Sequence, residues 1–258
     1  LNIDAAKKQS SEMVINSLYQ KQLQVISDDY LYFHSRNNIV VLRHIEIFEK
    51  YKKYISGDIL DWGCRHSVDG CLAKLYLNDN CTVHGCDVDQ TIKYPVFYDF
   101  INLNYSPINH PYKLPYKDNL FDTVIGSGVL EHVQNDYESL KELNRVLKTS
   151  GYLIITFLPN QYSHAEFLAK AIFSRGHKRK YRLKEIKKQL MHVGFEPVDW
   201  GYHQFMPTFS GGSKLGEKQA FIKIIEKLYK LNSIFENLWL INKLSANLYV
   251  VCKKVDHF

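Results

Sequence analysis

Two carboxylates, one glycine and a Glu-His pair are the residues of this chain whose spacing could do chemistry. Asp61-Trp62-Gly63-Cys64 follows a short apolar run that starts at Asp58. About 24 residues after Gly63, a second apolar run, Cys81-Thr82-Val83-His84-Gly85-Cys86, ends in Asp87-Val88-Asp89. Strand, glycine turn, helix, strand and a terminal acid form the opening of a nucleotide-binding α/β unit. Gly63 lets the backbone come close to a ligand where a Cβ would intervene. An acid at that distance can receive the two hydroxyls of a ribose, and Asp89 could share the task. Glu131-His132 follows a later buried run, Thr123–Ser127, with Ser127 at its end. A carboxyl and an imidazole in such a place can orient a substrate or take a proton. The plain alternative is that the pair caps and packs the next helix.

These residues need a sheet to hold them. Strands are expected at about 58–62, 81–86, just before Asn109, 123–127, 152–158, 195–201 and 246–253, with a short one possible at Val96–Tyr98. Helices are expected at 4–28, 37–55, 68–78, 135–149, 184–192 and 216–244. The stripes Ile39-Leu42-Ile45 and Leu140-Leu143-Val146-Leu147 have helical period. Between the first two helices lies the aromatic, partly basic stretch Tyr30–Arg36, which either joins the core or closes over a ligand.

The totals are those of a globular chain large enough for a sizeable core: 258 residues, 45% hydrophobic, 23% charged and a net charge of +6. That mild charge permits an anionic partner without requiring one. The five cysteines make an odd count without metal-ligand spacing, as expected of reduced thiols in a cytoplasmic protein. No signal-like start and no apolar run of about 18 residues is visible. Peripheral membrane contact stays open, as does the oligomeric state.

The motifs taken together resemble one family. Asp61-x-Gly63-Cys64 is similar to motif I of class I S-adenosylmethionine-dependent methyltransferases. Leu114-Pro115-Tyr116, Phe121-Asp122, Val129-Leu130-Glu131-His132-Val133 and Arg145-Val146-Leu147-Lys148 before Gly151 resemble the later motifs of the ubiquinone/menaquinone-type branch, in order and spacing. The resemblance covers about 55–160 strongly and 180–254 loosely. It implies an α/β fold: a Rossmann-like, seven-stranded, mostly parallel sheet with an antiparallel seventh strand and helices on both faces. It divides the chain into an N-terminal helical cap, 1–56, and a methyltransferase domain, 57–258, with helical insertions at about 161–182 and 202–245 on the substrate side.

The implied cofactor is S-adenosyl-L-methionine. On the family pattern Asp61 and Gly63 border its methionine part, with Cys64 and Arg65 in the same turn and Ser127 at the pocket mouth. Asp87 takes the ribose, with Val88 beside it. Asn109 and His110, or else Asp99, stand where the family holds the adenine. Glu131 and His132 are the candidate catalytic residues. No metal is expected, since Gly128 stands where some quinone-pathway relatives have a further Glu. Arg65 and Ser67 depart from the pattern where further glycines are common, and Arg65 could pair with the cofactor carboxylate or Asp61.

The expected reaction is methyl transfer to a small-molecule or sugar-containing acceptor, at a hydroxyl. The run Arg175–Arg182, with nearby tyrosines, could hold a phosphate or acidic sugar. Gly176-His177 to Tyr181, Gly194-Phe195 and Gln204…Pro207 resemble methyltransferases of surface-polysaccharide biosynthesis. Quinone or lipid methylation and cofactor binding without turnover are the alternatives. Nucleic acid is disfavoured as the acceptor, since the Asn/Asp-Pro-Pro-aromatic tetrapeptide of base methylation is missing.

Overall fold

A computed structural model describes residues 3–26, 28–77, 80–165, 167–168, 177–206 and 219–255. Three helices lead: α1 (Ile3–Val25), α2 (Asp29–Arg36) and α3 (Asn38–Tyr51). There follow β1 (Gly57–Trp62), α4 (Val68–Leu77), β2 (Cys81–Asp87), α5 (Pro95–Ile101), β3 (Asn104–Pro107) and β4 (Phe121–Ser127). Next come α6 (Asp136–Val146), β5 (Leu147–Pro159), α7 (Leu183–His192) and β6 (Phe195–His203). The chain closes with α8 (Gln219–Tyr229), α9 (Asn232–Asn237), α10 (Trp239–Asn242) and β7 (Asn247–Lys254).

The seven strands form one sheet in the order β3-β2-β1-β4-β5-β7-β6. The first five in that order are parallel; β7 lies antiparallel between β5 and β6. This is the expected Rossmann-like sheet.

Strand alternation explains how the sheet is covered on both faces. Ile59, Val83, Ile125, Ile154 and Val251 point into one core with α1, α3, α4 and α5. Leu60, Val124, Leu153, Ile155 and Val250 point into the other, with α6 and α7. Side chains one residue apart on a strand face opposite ways, so unbroken apolar strands supply both cores. Helices α1–α3 share their core with the sheet through Tyr19, Phe48 and Tyr51.

Several boundaries differ from expectation, each for a local reason. Val96–Tyr98 is helix, not strand. Pro95, which has no N–H to lose, occupies the first turn of α5, and Asn102 in the left-handed region ends it. The aromatic stretch forms α2, which buries Leu31 and His34 and leaves Tyr32 exposed. Helix α6 stops at Val146, where Leu147 already pairs with Phe121. The long helix expected at 216–244 is three short ones within the described residues. Asn232, at the first break, is buried and accepts from Met206 N–H at 3.0 Å. Residues 207–218 lie outside the described residues.

One clamp ties the loop before β4 to α6. Glu142 accepts the Leu114 N–H at 2.7 Å and two guanidinium bonds from Arg145, at 2.6 and 2.9 Å. Arg145 also reaches Asp118 at 2.5 Å. Burial pushes the Glu142 carboxyl up, but Arg145 and the Leu114 N–H outweigh it and hold it below the usual range. A depressed carboxyl contributes stability above its unfolded pKa, and that contribution disappears as pH falls through the folded one. Arg145→Met should therefore cost about 2 kcal/mol in urea unfolding at neutral pH. The difference from the parent protein should shrink in acid, which unfolding curves at several pH values would show.

Candidate functional site

Strands β1 and β4 are neighbours, but the chain leaves β1 towards β2 and returns to β4 from the far edge. Their carboxyl ends therefore border a crevice, the usual ligand position in open α/β sheets. Gly63 follows β1 with φ +69°. A Cβ there would lie 2.5 Å from Val129 Cγ2. The turn that follows needs the same left-handed backbone at two more positions, Arg65 (φ 43°) and Ser67 (φ 52°). That region favours glycine, which is the physical reason a glycine-rich version of this turn is common. Here Ser67 stays in place through its hydroxyl, which donates to Asp61 Oδ2 at 2.7 Å. The Arg65 N–H donates to Asp87 Oδ2 at 2.9 Å.

Two cavities meet at this turn and share Gly63, Arg65 and Gly128 in their walls. The outer one, about 740 Å³, lies over the ends of β1 and β2. Asp87, Val88, Asp89 and His110 line it, with Ile108, Leu114, Val129 and Val133 as apolar walls. Asp87 Oδ1 accepts the Val88 N–H at 2.7 Å. Each carboxylate oxygen has two acceptor sites, so one on each remains for a ligand hydroxyl. His110 faces the cavity, and its Nδ1 accepts from Tyr112 N–H (3.3 Å) and Lys113 N–H (3.1 Å). Asn109 is exposed and does not line either cavity.

The inner cavity, about 330 Å³, is polar. Asp61, Asp69, Ser127 and Glu131 line it, opposite Arg43, His44 and His177. Cys64 also borders it, but its buried thiol lies 3.6 Å from the Tyr98 hydroxyl and burial pushes its pKa well up. Burial and the nearby Asp69 push the Asp61 carboxyl up as well. Asp69 accepts from the Tyr51 hydroxyl at 2.6 Å. Ser127 Oγ sits 2.7 Å from Thr156 Oγ1. His44 is held neutral, by burial first and then by Arg43.

The Glu131-His132 pair divides between the cavities. The Glu131 side chain is 4% exposed, faces inward, and leaves Oε2 without a hydrogen-bond partner. Burial pushes its pKa up to about 7, against the opposing effect of a backbone N–H, His177 and Arg179. His132 lines the outer cavity, with its Nε2 3.7 Å from Glu131 Oε1. Burial, His177 and Arg179 lower its pKa, so this contact is not an ion pair at neutral pH.

The basic run behaves differently from a plain anion-holding wall. Arg179 donates to the carbonyls of Leu130 (3.1 Å), Val133 (2.8 Å) and Gln134 (3.4 Å). Tyr181 adds its hydroxyl to Leu130 O at 3.1 Å. Arg179 thus latches the turn that carries Glu131 and His132. Lys178 is exposed, and residues 169–176 lie outside the described residues.

Sequence reading did not single out Arg43, His44, Asp69, Phe157 or Asn247, all of which line the inner cavity. Arg43-His44 carried a usable signal: a polar pair that, with Glu46, interrupts the apolar stretch Ile39–Phe48 of α3. Phe157, with φ 54°, sits where the β5–β7 register shifts. Nothing in its neighbourhood in sequence marks that bulge. Among the described residues no group of three His, Cys, Asp or Glu side chains could hold a metal ion.

Comparison with known proteins gives a domain match and a likeness of fold. Residues 60–155 match the methyltransferase domain family. An uncharacterized methyltransferase of Schizosaccharomyces pombe is 41% identical over 61 residues, 20% of this chain and 22% of that protein. The matches thus span only about a fifth of the curated relatives' lengths. Among solved structures, a SAM-dependent methyltransferase from Archaeoglobus fulgidus superposes with TM-score 0.58 at 20% identity, covering 88% of this chain and all of that one (100%). Phosphoethanolamine N-methyltransferase 2 of Haemonchus contortus, in complex with S-adenosyl-L-methionine, superposes with TM-score 0.54 at 14% identity, over 82% and 52%. These two likenesses show the fold.

Gly63→Ala tests the close approach. The added methyl meets Val129 and adopts a φ that costs an alanine about 1–2 kcal/mol. A thermal melt should show a loss larger than that. Val129→Ala should restore only the part due to the collision.

Proposed function

With residues 60–155 matching a methyltransferase domain on the expected fold, we propose that the protein transfers a methyl group from S-adenosyl-L-methionine to a hydroxyl of a small polar acceptor, a sugar-containing precursor being the class favoured. The observation that carries this reading is the joined pair of cavities, with Asp87 at one end and Glu131 at the other. The residues fit the cofactor by charge and shape. Asp87 has two acceptor sites for the ribose hydroxyls, apolar side chains flank the place for the base, and Gly63 admits the methionine part. The inner cavity then holds the buried acids Asp61 and Glu131 near the cofactor's positive groups.

The cofactor supplies an electrophilic methyl on a sulfonium. The protein's part is to bind it, align the acceptor and keep water out. Glu131 suits the role of base. Its Oε2 lies in the inner cavity without a partner, so it can take the acceptor hydroxyl's proton as the oxygen takes the methyl. A nearby cation favours the ionised carboxylate, so a bound cofactor prepares Glu131 for that step. His132 faces the outer cavity and suits orientation. Arg179 positions both through the 130–134 turn.

Cofactor binding without turnover would gain support if Arg65 and Ser67 spoiled the turn. Both are accommodated by left-handed backbone, and Ser67 gains a bond to Asp61. That support is therefore weak.

Asp87→Ala should lose about 1.5–3 kcal/mol of S-adenosylhomocysteine binding in calorimetry, through lost hydrogen bonds to a charged group. Unchanged affinity in a folded variant would remove Asp87 from the ribose site. For Glu131, ionisation is required for proton uptake, so turnover should rise with pH through the region near its raised pKa, about 7 or lower with cofactor bound. Glu131→Gln should lose that limb and about two orders of magnitude in kcat, with cofactor affinity nearly unchanged. A retained limb would assign the base elsewhere.

A further inference from the structure

The segment from Ile224 to Leu244 carries nine large apolar side chains that are exposed, a concentration found nowhere else among the described residues. Trp239 is 70% and Leu240 61% exposed. Scattered exposed apolar residues need no explanation, but a contiguous group marks an interaction surface.

Helix α8 is divided into three lengthwise zones. Ile222, Ile225 and Tyr229 are buried and point at α3, where Ile225 and Tyr229 meet Ile39. At 100° per residue, Ile224 and Leu228 form a second stripe that faces outward, and exposed Leu231 follows in the turn after the helix. Lys223 and Lys227 form a third, beside that stripe, and both are exposed, as is Lys230 in the turn. Further along, Lys243 places its Nζ 4.3 Å from the Trp239 ring centroid. The acids of the segment are two. Glu236 turns inward, to Lys50 at 2.9 Å and the Gln204 N–H at 2.5 Å, and Glu226 lies half-buried. The outward surface is therefore apolar and cationic.

We propose that this face docks on an anionic membrane surface, with the apolar stripe and Trp239 entering the headgroup boundary and the lysines meeting lipid phosphates. Charge complementarity selects this occupant. An amphipathic helix with a lysine border beside an apolar stripe is suited to lie in the interface plane. A tryptophan, apolar in body and polar at its N–H, suits the headgroup level. A second copy of the chain fits poorly, because a two-fold contact would bring the same lysines together with only half-buried Glu226 to offset them. No described helix is long and apolar enough to cross a membrane, so the contact is a surface one. It would also place the inner cavity close to the lipid, since α3 carries both Ile39, which meets α8, and Arg43 and His44, which line the cavity. The inference does not depend on the methyl-transfer reading.

Flotation of the full chain with vesicles tests it, using phosphatidylcholine alone against phosphatidylcholine with about one-third phosphatidylglycerol. Binding is expected to the anionic vesicles only and to weaken as salt rises from about 0.1 M to about 0.5 M. Each of Lys223→Gln, Lys227→Gln and Lys230→Gln should lower the partition coefficient about fivefold, and Leu228→Glu with Trp239→Ser should abolish flotation. Circular dichroism and S-adenosylhomocysteine calorimetry report whether the variants remain folded and ligand-competent. Absence of flotation, equal binding to both vesicle types, or binding indifferent to these substitutions would overturn the proposal. So would light scattering that shows a dimer dispersed by Leu228→Glu, which would assign the face to a second copy.

Discussion

The parting of β1 and β4 is the constraint on which the site depends. Two parallel strands lie in register, Ile59 with Thr123 through Trp62 with Gly126, and then their chains diverge. The turns that leave each strand border the gap. Those turns must come close together, so Gly63 packs over Val129 where any Cβ would collide. Both cavities take their shared wall from this contact. Remote pieces hold the turns in turn: Arg179 grips 130–134, and the Glu142–Arg145 clamp holds the loop at Leu114.

Burial then sets the chemistry. Asp61, Asp69 and Glu131 crowd a small space behind the Gly63 turn, and each carboxyl is pushed up mainly by loss of water. His44 and His66, on the same side, are pushed down for the same reason. Burial thus disfavours charge on these five groups, while Arg43 and Arg65 also line the chamber. A cationic ligand reverses part of that balance by stabilising the ionised carboxylates. Asp87 sits apart from them at the open end of β2, where it accepts the N–H groups of Arg65 and Val88.

The clustering of exposed apolar residues after Ile224 belongs to a different part of the molecule. It is joined to the site through α3 and through the end of β6, where His203 and Gln204 meet Glu236. Helix α3 buries Ile39 against α8, and its Arg43-His44 pair faces the inner cavity. One helix thus connects the surface where partners can be met with the chamber where chemistry can occur.

The sheet, its order of elements and the principal turn were legible in the sequence because each rests on local patterning. Apolar strands read as continuous runs, Gly63 stands between strand and helix, and Asp87 closes β2 at nucleotide-binding spacing. Tertiary structure alone decided the division of labour between Glu131 and His132. Adjacent residues in a turn face different ways, and that direction follows from Arg179 and Tyr181, about 50 residues away in sequence. Packing adds to the local signal at Pro95, since Gln22 on α1 receives the Val96 N–H at 3.0 Å. The lining residues Arg43, His44 and Asn247 come from the first third and the end of the chain. The Arg43-His44 pair stands out among apolar neighbours, but its approach to the site, like that of Asn247, is set by how α3 and β7 pack on the sheet.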